Sequence, residues 1–545
     1  MRSLVLLAFG LQAAETGYID PTACRPCHTA IFDSYQRSGM GRSFSKVTSV
    51  PPLKEFRHQA SERTYSIVKR GAESLLRREP LAIQKRIDYV VGSGNHSKTF
   101  VHRDEAGRLL ELPLSWYAEG SEWNMSPGYD RPDHSDFRRE LTDSCLFCHN
   151  GYPSNANGGL AQGIDCQRCH GPGEAHAKQK GAIVNPAKLS YERQLEVCLQ
   201  CHLESASRTL PDSVRRPGRT SFSYRPGEPL GDFITYYEFE KSTAEDRITV
   251  NGAGYGMMKS ACFLQSKGRL QCVTCHDPHR PVAPASHFTE VCRSCHAQAH
   301  ETSTNDCARC HMQKRRTEDA VHVVMTDHRI RRRPLSGDLL TKVPERHDSA
   351  SGPVKLLYPP RLPDNAETRL AHAMAQRDST LLAPAIAEAK SMQSEPYFAL
   401  GESLKREGRI VDAIRAYRAA VDRAPDDPAA YVPMAELMVG SGDARSAITS
   451  LEPAHKRMPR DVKLLNSLAI AYVQENRVDE AFQLLSSAVK IQPDDPVSWL
   501  NFGVCQEAKG DPQGALAAYQ RSISLQPDLA RARQFLQRLT QRSIR

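Results

Sequence analysis

The sequence predicts a mainly α chain with much irregular loop, built as two dissimilar domains: an N-terminal one containing a small β meander and a C-terminal α-solenoid of helix pairs. Three observations carry this. Of the 16 cysteines among 545 residues, all but Cys505 precede residue 312. From residue 394 the sequence repeats every 34 positions, with Pro425, Pro459, Pro493 and Pro527 closing the units, and a period of this size marks stacked helical repeats. Residues 63–117 lack cysteine and alternate in short runs such as Thr64 to Val68 and Ser97 to His102, which is the period of a strand.

The chain begins with Arg2, an apolar run from Leu4 to Leu11, and Ala13-Ala14 before Glu15. This reads as a signal segment over residues 1–14 and predicts an exported, periplasmic protein. A buried first helix is the alternative, disfavoured because Cys24 follows so closely. No run of 18 apolar residues occurs, so no transmembrane segment is expected. Hydrophobic residues make up 40% and mean hydropathy is −0.52, values of a globular chain.

Residues 15–333 form the first expected domain. Seven Cys-x-x-Cys-His pentapeptides run through it: Cys24, Cys27 and His28; Cys145, Cys148 and His149; Cys166, Cys169 and His170; Cys198, Cys201 and His202; Cys272, Cys275 and His276; Cys292, Cys295 and His296; Cys307, Cys310 and His311. From the chain's own Cys and His frequencies roughly 0.02 copies would arise by chance. The pattern is that of covalent haem attachment, in which both thiols form thioethers and the histidine ligates iron. Zinc ribbons have no need of a histidine after every second cysteine, and disulfide scaffolds are typically much shorter chains. Seven haems c are therefore expected as cofactors, and with so few residues around them the porphyrins form much of the core. Short helices are expected to follow the motifs.

The net charge of +9 would ordinarily raise nucleic acid as a partner. Seven ferric haems, at about −1 each with their propionates, offset most of it. No nucleic-acid partner is expected, and the run Arg329, Arg331, Arg332 and Arg333 is read first as solvated.

Residues 334–366, with Pro334, Pro344, Pro353, Pro359, Pro360 and Pro363, have the composition of an irregular linker. The second domain spans 367–545, with four repeats at 394–427, 428–461, 462–495 and 496–529. Tyr397, Leu400, Gly401, Leu404, Ala413, Tyr417, Ala420 and Pro425 in the first unit, and Trp499, Phe502, Gly503, Ala515 and Tyr519 in the fourth, resemble the tetratricopeptide repeat (TPR) signature. Small residues let paired helices approach while large ones form the stripe that neighbouring units bury. Residues 367–393 read as a degenerate helix pair and 529–542 as a cap helix. The resemblance implies a protein-docking scaffold; a purely structural buttress is the alternative. Cys505 is expected to pack within its helix, and Cys262 to be a buried thiol, a redox-active thiol or a disulfide partner of Cys505.

The remaining histidines of the first domain include candidates for the second iron ligand. His176 follows the third motif in Cys-His-Gly-Pro-Gly-Glu-Ala-His, His279 follows the fifth in Cys-His-Asp-Pro-His, and Cys310-His311-Met312 precedes His322 and Thr326-Asp327-His328-Arg329-Ile330. These stretches resemble bacterial multihaem c-type cytochromes of the cytochrome c-552/c-554 type. The resemblance implies that His176, His279, His322 and His328, with His300, His96 and His58, supply distal ligands, commonly to a haem other than the nearest. Such relatives often carry a histidine a dozen residues after the first motif, where this chain has Met40. Met40 is thus a candidate thioether ligand, or a residue packed on a porphyrin face.

A haem with two protein ligands conducts electrons but has no open position for a substrate. The sequence therefore reads as an electron relay between redox partner proteins, docked through the repeats. The alternative is an oxidoreductase acting on a small nitrogen or sulfur compound at one five-coordinate haem. The sequence names no donor, acceptor or oligomeric state, and no catalytic residue.

Overall fold

The computed structural model describes residues 17–153, 160–204, 213–240, 248–296, 306–345 and 352–543. The signal segment and His300 lie outside the described residues. The chain divides into two compact units, 1–361 and 362–545.

The first unit is richer in strands than the sequence suggests. Among the described residues it has fourteen strands in four antiparallel sheets, and its longest helix, Tyr191–His202, has 12 residues. The strands are β1 (Phe44–Lys46), β2 (Phe56–His58), β3 (Arg63–Arg70), β4 (Glu73–Glu79), β5 (Ile83–Arg86), β6 (Tyr89–Val91), β7 (Ser97–Arg103), β8 (Leu109–Tyr117) and β9 (Glu122–Met125), followed by five more described below. Two sheets, ordered β2-β3-β4-β5 and β1-β6-β7-β8-β9, replace the single small meander expected over 63–117. Their flanking strands were invisible because three or four residues are too few to display a period of two. Alternate residues turn Tyr65, Leu76, Phe100, Leu112 and Leu114 into one core, and Gly71, at φ +59°, makes the β3–β4 turn.

A buried polar layer lines this core. The Tyr65 hydroxyl donates to Asp136 at 3.0 Å, and the buried Arg78 approaches the same carboxylate at 3.3 Å. Glu111 on β8 is 7% exposed, 3.3 Å from Arg139, and burial pushes its carboxyl up to about 7.

A third sheet joins β10 (Ser213–Arg215), β11 (Ile234–Phe239) and β14 (Val354–Tyr358), and a hairpin joins β12 (Lys314–Arg316) to β13 (Val324–Thr326). Strand β14 lies inside the stretch read as irregular linker. Pro353 and Pro359 bracket it without interrupting it, since proline is tolerated where a ladder ends. Tyr358 closes the β14 side by donating to Glu196 at 2.9 Å, within a core of Phe147, Leu195, Leu199, Tyr224, Phe233 and Tyr236.

The second unit is a succession of antiparallel helices: Ala366–Gln376, Ser379–Ala389, Ser394–Arg406, Ile410–Arg423, Tyr431–Gly440, Ala444–Arg457, Val462–Gln474, Val478–Ile491, Pro496–Ala508, Pro512–Leu525 and Ala530–Ser543. Aspartates cap several: Asp378, Asp443, Asp461, Asp495 and Asp511 each accept a first-turn backbone N–H, satisfying otherwise orphaned donors. Gly401 and Gly503 sit against the Tyr417 and Tyr519 rings, where a Cβ would stand 2.6 and 2.5 Å from ring carbon. Arg423 lies 3.8 Å over the Tyr397 ring and donates to its hydroxyl; one unit later Arg457 donates to the Tyr431 hydroxyl. Ala413, Ala447, Ala481, Leu451, Leu485 and Cys505 are fully buried, so Cys505 is a packing residue.

Candidate functional site

Residues i, i+3 and i+4 share one helix face, so a helical Cys-x-x-Cys-His unit presents both thiols and the imidazole together. Five motifs are themselves helical: His149, His170, His202 and His311 end the helices Asp143–His149, Gln167–His170, Tyr191–His202 and Cys307–His311, and His276 follows Cys272–Cys275, while the expected following helix appears as Thr29–Tyr35 after the first motif and Glu174–Ala177 after the third. Polar caps start some of these turns. Asp165 accepts from the Gln167 and Arg168 amides at 2.9 and 3.2 Å, and Asp306 from Arg309 at 3.2 Å.

Motifs distant in sequence meet at their cysteines. Cys24 lies beside Cys166, Cys148 beside Cys201, Cys198 beside Cys272, and Cys292 beside Cys307.

Three motif histidines face a second imidazole. His28 and His176 have ring centres 6.3 Å apart and planes 15° apart; His170 and His279, 6.1 Å and 23°; His276 and His328, 6.1 Å and 33°. Two metal–nitrogen bonds of about 2 Å, plus about 1 Å from each nitrogen to its ring centre, give about 6 Å, so each pair fits two imidazoles on opposite sides of one metal ion. Ring hydrogen bonds agree with this donor set: Nδ1 of His170 bonds the Val184 carbonyl at 2.8 Å, Nδ1 of His328 that of Thr326 at 3.0 Å, and Nδ1 of His311 that of Arg331 at 2.6 Å. Occupying Nδ1 in this way leaves Nε2 as the ligand nitrogen. Apolar side chains beside the motifs are uncovered, with Ile31 49%, Val273 44%, Leu264 67% and Val282 72% exposed, as fits the rim of a flat apolar group.

The partner imidazoles come from positions past other motifs. His176 lies on the short helix Glu174–Ala177 after the third motif, and His279 in a turn after the fifth, its amide donating to Asp277 at 2.9 Å. His328 follows β13, where a Cβ on Gly256 would stand 2.9 Å from the Arg329 nitrogen, so only glycine permits the approach.

Other candidates are placed differently. His58 bonds Ser61 through Nδ1 at 2.7 Å and Asp130 through Nε2 at 3.1 Å, and His322 lies 3.6 Å from the second oxygen of the same carboxylate. Both were expected opposite a motif histidine; the structure instead gathers them on Asp130, whose carboxyl they hold well below the usual range. His96 lies against the Val324 backbone. The ring facing His28 belongs to His176, so an imidazole stands where the Met40 thioether was considered; the Met40 carbonyl accepts from Ser43 and Ile164. Cys262 lies near Cys275 and Cys295 and is unpaired. Sequence gave no signal for Asp130 or for the carbonyls of Val184, Thr326 and Arg331, because these partners are brought in by the fold.

Models of the tetratricopeptide repeat match residues 404–469, 438–499 and 496–529. Residues 404–529 are tetratricopeptide repeats. Similar proteins include FlbA of Caulobacter vibrioides, 29% identical over 130 residues, 24% of this chain and 22% of that protein. Protein O-mannosyl-transferase TMTC1 of Homo sapiens is 31% identical over 86 residues, 15% of this chain and 10% of that protein. The chain thus spans less than a quarter of the length of these relatives. Among solved structures, the TPR protein YrrB, described as having an unusual peptide-binding site, is 18% identical, covering 28% of this chain and 79% of that one with a TM-score of 0.25. MamA from Desulfovibrio magneticus RS-1 is 16% identical, covering 31% and 99% with a TM-score of 0.28.

Among the described residues no helix is long and apolar enough to cross a membrane.

Proposed function

We propose that the first unit carries seven covalently attached haems and relays electrons between redox partner proteins, one of which docks on the tetratricopeptide repeats, and that it does so outside the cytoplasm. The observation that carries this is the 6.1–6.3 Å spacing of His28/His176, His170/His279 and His276/His328. Haem, when attached, supplies reversible one-electron iron chemistry. The two thiols of each motif would tether the group, and the following histidine would ligate it. His176, His279 and His328 would supply a second imidazole in three cases, with backbone carbonyls at His170 and His328 fixing ring orientation. Two imidazoles would leave these three centres closed to small ligands, favouring conduction over substrate binding. The cysteine contacts set tethers of different motifs side by side, which would keep their groups close. The repeats, which characteristically bind proteins, supply the docking function.

The full chain, expressed with a c-type haem maturation system, is expected to gain the mass of seven haems and to show mainly low-spin ferric signals by electron paramagnetic resonance. Absence of covalent haem would reject the reading. A high-spin signal perturbed by nitrite, hydroxylamine or cyanide would move it to the small-molecule oxidoreductase.

A further inference from the structure

Three of the motifs converge on one guanidinium. Arg168, between the two cysteines of the third motif, is 1% exposed. Its Cζ stands 4.5 Å from the ring centre of Phe147, 5.0 Å from that of Tyr152 and 5.4 Å from that of Phe222, and Nη2 donates to the Phe147 carbonyl at 3.0 Å. Phe147 directly precedes Cys148 in the second motif. The Cys148 and Cys201 thiols, from the second and fourth motifs, meet beside the guanidinium.

This charge has no carboxylate among the described residues paired directly with it. Nη1 is buried with no hydrogen-bond partner, and no carboxylate among the described residues lies within ion-pair distance of it. Asp165, the acidic group acting on it through space, has an oxygen committed to the amides of Gln167 and Arg168. Aromatic faces and one carbonyl are modest compensation for a cation removed from water. A structural purpose alone would be served as well by an apolar side chain.

We propose that Arg168 sets the reduction potentials of the haems tethered at Cys148, Cys169 and Cys201, raising all three. This rests on the heptahaem reading. Reduction of each ferric centre adds one electron and no proton, so the site loses one positive charge. A fixed cation in a low-dielectric setting favours that reduced state. Arg168 touches no iron ligand and acts through space, as a positioning residue of charge.

The test is a spectroelectrochemical titration of the full-length protein, poised with dithionite and ferricyanide, after haem content has been counted by mass. Arg168→Met is expected to move three of seven one-electron transitions to lower potential, and Arg168→Lys to leave them near their original place. Seven haems with unaltered titrations in Arg168→Met, or a shift spread evenly over all seven, overturns the proposal. If Arg168→Met fails to retain haem, Arg168→Gln decides: a downward move of three transitions supports it and no move overturns it. A wild-type protein without covalent haem would instead overturn the underlying reading.

Discussion

The imidazoles of His170 and His279 stand 6.1 Å apart, centre to centre, with planes inclined by 23°. One belongs to the third motif and the other follows the fifth, so a single pair ties together stretches far apart in sequence. Replacing the second imidazole should open one centre without detaching it, because the thioethers are made by Cys166 and Cys169. His279→Ala is expected to keep seven haems by mass and to convert one low-spin ferric signal to high-spin. His176→Ala and His328→Ala should each do the same. Unchanged low-spin spectra in all three would refute the assignment.

The repeats make a prediction about packing. Leu485 is fully buried between neighbouring helices, and truncating such a residue costs about 2–5 kcal/mol. Leu485→Ala should lower the urea midpoint of the helical transition by that equivalent, while leaving the haem spectrum intact.

Gly503 gives an opposite perturbation, since added volume rather than a cavity is the fault. A Cβ there would stand 2.5 Å from the Tyr519 ring, and overpacking costs about 1–3 kcal/mol. Gly503→Val should destabilise the same transition, and Gly503→Val with Tyr519→Ala should recover part of the loss. Equal stability of Gly503→Val and wild type would show that the two helices are not held so close.

Burial of Glu111 makes the stability of the first unit depend on pH. Its carboxyl is raised to about 7, with desolvation as the chief cause and Arg139 opposing it. A raised acid binds its proton more tightly in the folded than in the unfolded chain, so its contribution is complete below the unfolded value of about 4.3 and is lost as pH rises to about 7. The loss amounts to at most about 4 kcal/mol. Glu111→Gln should flatten denaturation midpoints between pH 4.5 and pH 7; a slope equal to that of wild type would show that another group sets it.

Removal of residues 362–545 should leave covalent haem in place and abolish capture of a redox partner. Loss of haem on the same truncation would make the repeats a buttress instead of a docking surface.

What the sequence disclosed follows from where the determining groups lie. A Cys-x-x-Cys-His unit is contiguous, and the TPR period is carried by residues such as Gly401 and Tyr417 that recur at fixed offsets, so both were readable directly. His176, His279 and His328 could be singled out by their offsets from motifs, but not which motif each would face. The meeting of His58 and His322 at Asp130 could not be read, because that carboxylate is distant in sequence from each. Strands β1 and β2 were too short to show alternation, and β14 was masked by the prolines at its ends. Arg168 occupies one of the two positions that the motif leaves unspecified, where no pattern search looks.

The crossing of the imidazole pairs has a consequence for synthesis. His28 cannot meet His176 until the third motif has been made, His170 waits for the segment after the fifth, and His276 waits for the residue past β13. On the proposed reading, each early motif would lack its second imidazole until a later stretch arrives, and a chain that ended before residue 328 would leave His276 without one, far upstream of the break.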